Sequence, residues 1–259
     1  MKEKKIIYYN NENDDVVNVN TKTIKIDENY KYLQKNIFHK LISFISYRLF
    51  AMPYAIIYFK LFKKIKFHNT NALKKHKKGG FFIYANHTNK LGDGFCPALI
   101  CFPKKPHIIV NSQNISLPYI GKFTQMWGAL PIPETKIATK NFYQAIETTL
   151  NKNNPIVVYP EAHLWPYYTK IRNFPATSFR FPVKYNKPVF TFTTVYIKNK
   201  KHKKPKIEIY VDGPFYPNQS LTEKDAQQEL RNKVFDVLNN RAKLSNYEYV
   251  KYVKRSNDD

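Results

Sequence analysis

Tyr84-Ala85-Asn86-His87-Thr88-Asn89-Lys90-Leu91-Gly92-Asp93 is the stretch on which the reading of this chain turns. It continues Phe81-Phe82-Ile83-Tyr84, a short apolar run after Gly79 and Gly80 that predicts a buried strand. A histidine therefore falls at a strand end, with a carboxylate six residues on. That arrangement suits a general base whose ring is oriented by an acid. Further along, Val157-Val158-Tyr159-Pro160-Glu161-Ala162-His163 predicts a second strand that ends in a charged loop. Working outward, apolar strand candidates cover 80–85, 107–111, 155–160, 188–196 and 206–212. Helical candidates lie near 94–101, 118–127, 138–151, 174–185 and 222–242. Strands interleaved with helices predict an α/β domain over 79–243, a central mostly parallel sheet flanked by helices. Thr222-Glu223-Lys224-Asp225 resembles a capping box opening the last helix, whose stripe is Ala226, Leu230, Val234, Val237 and Leu238.

The segments around this domain differ in character. Residues 1–30 are polar and predict a loose arm or a short hairpin; residues 244–259 predict a polar tail. Between 31 and 66, Phe38, Leu41, Ile42, Ile45, Leu49 and Met52 recur at helical spacing, and Ile56, Ile57, Phe59, Leu61 and Phe62 continue beyond Pro53. This predicts an N-terminal amphipathic helix pair, broken or bent at Pro53, with Lys60, Lys63, Lys64 and Lys66 closing it. Such a pair suits a membrane surface, and its stripe equally suits packing on the domain core. The longest uncharged apolar run of this segment, Leu49 to Phe59, falls short of the roughly 20 residues of a bilayer span. The Lys74-Lys75-His76-Lys77-Lys78 run reads as a solvated loop. The polar sequence after Met1-Lys2-Glu3-Lys4-Lys5 predicts no signal peptide.

Composition narrows the chemistry. With 259 residues and a hydrophobic fraction of 43%, most of the chain is expected to fold around a core. The formal charge of +24 makes phosphates the natural partners: anionic lipid, nucleic acid or an acidic carrier protein. No nucleic-acid motif accompanies that charge, so a nucleic-acid partner is not favoured. Two cysteines, Cys96 and Cys101, fit a reducing compartment and are expected in the core. Glu161-Ala162-His163 lacks the helical His-Glu-x-x-His spacing of a metal site. No Gly-x-Ser-x-Gly elbow and no phosphate-binding Gly-x-x-x-x-Gly-Lys loop is present. Glycine is scarce, with seven in all, so Gly92 and Gly94 beside Asp93 suggest special dihedrals or a close approach.

Taken together, these motifs resemble the glycerolipid acyltransferases, the family of lysophosphatidic acid and glycerol-3-phosphate acyltransferases. The family's Asn-His-x4-Asp motif is matched by Asn86-His87-x5-Asp93, one residue longer. Its second motif is matched by Gly121-Lys122 and Gly128-Ala129-Leu130-Pro131-Ile132-Pro133-Glu134, without the arginine. Its Phe-Pro-Glu-Gly-Thr-Arg motif is matched by Tyr159-Pro160-Glu161-Ala162-His163-Leu164. A proline-containing strand, Lys187-Pro188-Val189-Phe190-Thr191-Phe192, matches the fourth. The likeness runs over roughly 79–212. It implies acyl transfer from acyl-CoA or acyl carrier protein to a hydroxyl of a glycerol-phosphate acceptor, with no bound cofactor. His87 and Asp93 are then the catalytic pair, and Glu161 shapes the pocket. Lys170 and Arg172, with Lys136, stand in for the arginine that holds the acceptor phosphate. The expected setting is the cytoplasmic face of a membrane, held peripherally on anionic lipid. The competing class is a non-catalytic basic protein that binds anionic lipid or nucleic acid.

Overall fold

The computed structural model describes residues 5–17, 23–34, 36–76 and 78–255. Residues 1–4 and 18–22 of the arm, 256–259 of the tail, and Lys77 of the lysine run lie outside the described residues. Nine strands are described: β1 (Lys5–Tyr9), β2 (Lys66–His68), β3 (Phe82–Ala85), β4 (His107–Val110), β5 (Ala129–Pro131), β6 (Ile156–Val158), β7 (Val189–Ile197), β8 (Lys206–Phe215) and β9 (Val250–Lys254). Seven of them form one sheet in the order β2-β8-β7-β3-β6-β4-β5. Every neighbouring pair is parallel except the β7–β8 hairpin.

The central strands read as unbroken apolar runs because both faces of the sheet are covered. Side chains alternate along β3: Phe82 and Tyr84 enter one core, Ile83 and Ala85 the other. The first core is closed by the Lys136–Asn151 and Glu223–Ala242 helices through Phe142, Ile146, Leu150, Leu230, Val234 and Leu238. Thr222 caps the latter helix, accepting from the Asp225 N–H. The second core is closed by Cys96 and Leu99 of the Gly92–Cys101 helix and by Tyr47, Met52 and Phe59 of the N-terminal helix. Both cysteines are buried, and burial pushes their thiols up.

The expected helix pair is one uninterrupted helix, Ile37–Phe62, of 26 residues, long and apolar enough to cross a membrane by length and composition. A proline inside a helix removes one N–H donor and crowds the preceding turn. Here the backbone absorbs Pro53 with wider π turns on either side, over Ser46–Ala51 and Ile56–Phe62. One face packs on the domain, tied by Trp127 Nε1 to Ser46 Oγ (2.8 Å) and by Ser43 Oγ to the Met126 carbonyl (2.8 Å). The opposite face is apolar and exposed, including Phe38, Leu49, Phe50 and Phe62.

The two ends of the chain depart from the loose arm and tail that their polarity predicts. β1 pairs in parallel with β9, from Lys5 opposite Val250 to Tyr9 opposite Lys254. Each strand alone has no partner for its ladder groups, so neither is legible without the other.

His107, which opens β4, illustrates the cost of the core to an ionisable group. Burial, then the Lys105 cation, pull its imidazole down from 6.5 to about 3, against the opposing Lys105 carbonyl at 3.2 Å. The ring stays neutral in the fold but takes up a proton in the unfolded chain below 6.5. Stability is therefore lost as pH falls from that value towards 3. A His107→Gln variant should show a shallower loss of stability across that window, measured by denaturant unfolding at a series of pH values.

Candidate active site

His87 leaves the carboxyl end of β3 with both of its backbone groups held. Its N–H donates to Glu161 Oε2 (3.1 Å) and its carbonyl accepts from the Trp165 N–H (3.0 Å). Asn86 before it reaches β7, donating to the Thr194 carbonyl (3.0 Å) and accepting from the Thr194 N–H (2.8 Å). Thr88 after it accepts from the Tyr196 hydroxyl and, through its carbonyl, from the Tyr167 N–H. The position of the imidazole is thus set by β3, β7 and the loop after β6.

The six-residue link brings His87 and Asp93 together, with Nδ1 and Oδ2 2.8 Å apart. The extra residue is taken up in a tight turn. Asn89 N–H donates to Asp93 Oδ2 (3.0 Å), Asp93 N–H donates to the Asn89 carbonyl (2.8 Å), and Gly92 N–H donates to Asn89 Oδ1 (3.3 Å). A side chain at position 92 would place its Cβ 2.0 Å from Asn89 Nδ2. Glycine there lets the Asn89 side chain approach closely and does not serve a left-handed backbone. Gly94 meets open space. Tyr159 completes the turn: its hydroxyl donates to the Asp93 carbonyl (2.6 Å) and its ring stacks on the imidazole at 4.5 Å. Burial pushes the Asp93 carboxyl up, and its hydrogen bond to His87 pulls it back.

Glu161 is a buried clamp. Beyond the His87 N–H, its carboxylate accepts from the Arg172 N–H (2.9 Å) and from the Arg172 guanidinium (3.3 Å). Burial raises the carboxyl and the Arg172 charge lowers it. Arg172 is 1% exposed, donates to the Glu12 (2.9 Å) and His163 carbonyls, and lies over Trp165. The aromatic segment 163–168 is accordingly a packed loop. Trp165 is fully buried, stacks on Tyr252 at 4.9 Å and donates to the Asp14 carbonyl (2.9 Å).

A cavity of about 730 Å³ opens at the His87 ring. Ile108, Ile109, Val110, Phe142, Val158 and Phe181 give it an apolar depth under β4 and β6. Lys90, His163 and Arg180 bring positive or titratable groups to its wall, with Asp15 near His163 (3.9 Å). The three expected phosphate residues are placed differently. Arg172 is buried with its guanidinium already engaged, while Lys136 and Lys170 are exposed and do not line the cavity. Arg180 and Lys90 do, and neither was singled out in the sequence. Lys90 lies inside the histidine motif itself, whereas nothing in the sequence marks Arg180. Among the described residues no group of His, Cys, Asp and Glu is gathered so as to hold a metal ion.

The loop after β6 turns through a left-handed residue, Ala162, at φ 62°. An L side chain is strained there and glycine is not. Ala162→Gly should therefore raise stability by about 0.5–1 kcal/mol, seen as a higher melting temperature. Glu161→Gln should lower it by about 3–5 kcal/mol, because the Arg172 charge is left buried without its counter-ion. A melting temperature within error of the parent for Glu161→Gln would refute the clamp.

Comparison with known proteins bears on the family and the fold. A family model described as acyltransferase matches residues 64–196. Among solved structures, the 1-acyl-sn-glycerophosphate (LPA) acyltransferase PlsC from Thermotoga maritima has a similar fold, with a TM-score of 0.56 at 14% identity. That match covers 83% of this chain and 86% of the other. No curated protein sequence matches the chain. The match spans all four motifs and covers more than half of the chain, and on that ground the chain belongs to the acyltransferase family.

Proposed function

We propose that this protein transfers an acyl chain from a thioester, carried on coenzyme A or acyl carrier protein, to a hydroxyl of a glycerol-phosphate acceptor such as lysophosphatidate. The observation that carries the reading is the 2.8 Å contact between His87 Nδ1 and Asp93 at the mouth of a cavity with an apolar depth. With Nδ1 turned to Asp93, Nε2 is the nitrogen that meets the acceptor hydroxyl and takes its proton. The hydroxyl oxygen attacks the thioester carbonyl carbon to form a tetrahedral oxyanion. Collapse of that intermediate breaks the carbon–sulfur bond. The departing thiolate receives the proton from the imidazolium, and no covalent enzyme intermediate forms. Asp93 stabilises the imidazolium while it exists, and the Tyr159 ring stacked on it favours the cation further.

The acyl chain lies along Ile108, Val110, Phe142 and Phe181, and Arg180 with Lys90 holds the acceptor phosphate. The enzyme works on the cytoplasmic surface of a membrane. The exposed apolar face of Ile37–Phe62 sinks into the interface while the opposite face stays on the domain.

Release of free thiol from an acyl thioester, dependent on lysophosphatidate, is the direct measurement. His87→Ala should lower kcat by roughly a hundredfold to ten-thousandfold in a chain that still folds, with a lower melting temperature because the buried Asp93 loses its partner. Arg180→Gln should raise the acceptor KM by roughly tenfold or more and leave the donor KM alone. Full turnover by His87→Ala, or strong salt-dependent oligonucleotide binding without thiol release, would reject the reading.

A further inference from the structure

The turn joining β7 to β8 is densely basic. Residues 198–206 read Lys-Asn-Lys-Lys-His-Lys-Lys-Pro-Lys, six lysines and a histidine without an acidic residue. All six lysines are exposed. The register of the sheet places this turn on the functional edge. β7 runs parallel to β3 with Phe192 opposite Ala85, next to the residues that carry His87. From there β7 continues to Ile197, about 17 Å further at ~3.3 Å per residue. The lysines therefore overhang the carboxyl edge of the sheet.

A second group of lysines arrives from a distant part of the sequence. Ile37–Phe62 ends in Leu61 and Phe62, which are 62% and 75% exposed, and Lys63 and Lys64 follow at once. Lys66 opens β2 opposite Glu208, two residues from Lys206. The sheet thus joins the end of the exposed apolar helix to the lysine turn in one continuous surface. Concentrating like charges is unfavourable unless an anionic partner is present.

We propose that this lysine surface, from Lys63 to Lys66 and from Lys198 to Lys206, binds the anionic headgroups of phospholipids beside the inserted face of the helix. An apolar face flanked by lysines is the pattern of an interfacial element, and its continuity with Leu61 and Phe62 favours a membrane over an acidic protein. The inference rests on the membrane-surface reading of the helix, and not on the acyl-transfer chemistry. Docked in this way, the carboxyl edge that carries His87 faces the lipid from which a lipid acceptor would come.

The test is flotation of the full chain with vesicles of phosphatidylcholine alone and of phosphatidylcholine mixed with phosphatidylglycerol, at low and high salt. One variant carries Gln at Lys200, Lys201, Lys203, Lys204 and Lys206. A charge-matched control carries Gln at Lys152, Lys187, Lys224, Lys233 and Lys243. Thermal melts establish that both fold. The parent should prefer the anionic vesicles at low salt, and salt should erase the preference. The turn variant should lose about tenfold or more in anionic binding while keeping its binding to phosphatidylcholine, and the control should behave as the parent. Equal losses in turn variant and control, or an undiminished preference in the turn variant, would overturn the proposal. Equal binding of the parent to both vesicle types would overturn it while leaving the helix reading intact, and no binding to either would remove both. Capture by acyl carrier protein that the turn variant abolishes, with no anionic-vesicle preference in the parent, would assign the surface to a protein instead.

Discussion

A single buried carboxylate, Glu161, holds the functional edge together. Removing a charge from water costs several kcal/mol unless donors replace the lost hydration. Three donors do so here, two from Arg172 and one from the His87 backbone. The consequence is geometric. The N–H of His87 cannot move without uncovering a buried charge, so the imidazole stands in a fixed place at the end of β3. Arg172 extends the same constraint outward, since its guanidinium also binds the Glu12 carbonyl. The N-terminal arm is thereby tied to the loop that positions the histidine, and Asp15 of that arm reaches the cavity wall.

The second constraint is that the sheet needs cover on both faces. The Lys136–Asn151 and Glu223–Ala242 helices cover one, but the Gly92–Cys101 helix is too short to cover the other alone. The N-terminal helix completes that layer with Tyr47, Ala51, Met52, Ala55 and Phe59. Its remaining face is also apolar, more so than burial in this domain requires. A helix apolar on both sides has two apolar environments, and the domain core is one of them. This is the structural basis for reading the other as lipid.

Much of the site was legible because its geometry is local. His87 and Glu161 follow closely on apolar runs that read as buried strands, Asp93 lies six residues beyond His87, and strand ends in a parallel sheet collect at one edge. The parallel sheet and its helices followed from periodicity, and strand candidates such as 107–111 and 188–196 fall close to β4 and β7. What was missed depended on distance in sequence. Arg172 carries the charge expected of a phosphate ligand, but its burial against Trp165 is a tertiary fact. Arg180 reaches the cavity because the turn before it packs on β3, with the Ser178 carbonyl accepting from the Tyr84 hydroxyl and Phe179 stacked on the Tyr84 ring.

Local pattern along the chain is enough for the sheet, for the residues that stand at its carboxyl edge and for the family, because strand burial and short motifs are encoded within a few residues of each other. Three other features come from long-range packing: that Pro53 leaves one helix whole, that β1 pairs with β9, and which cations line the cavity. The reason is physical. A missing hydrogen bond, an unpaired strand edge and a buried charge are each resolved by partners far away in the chain, and no local pattern names those partners.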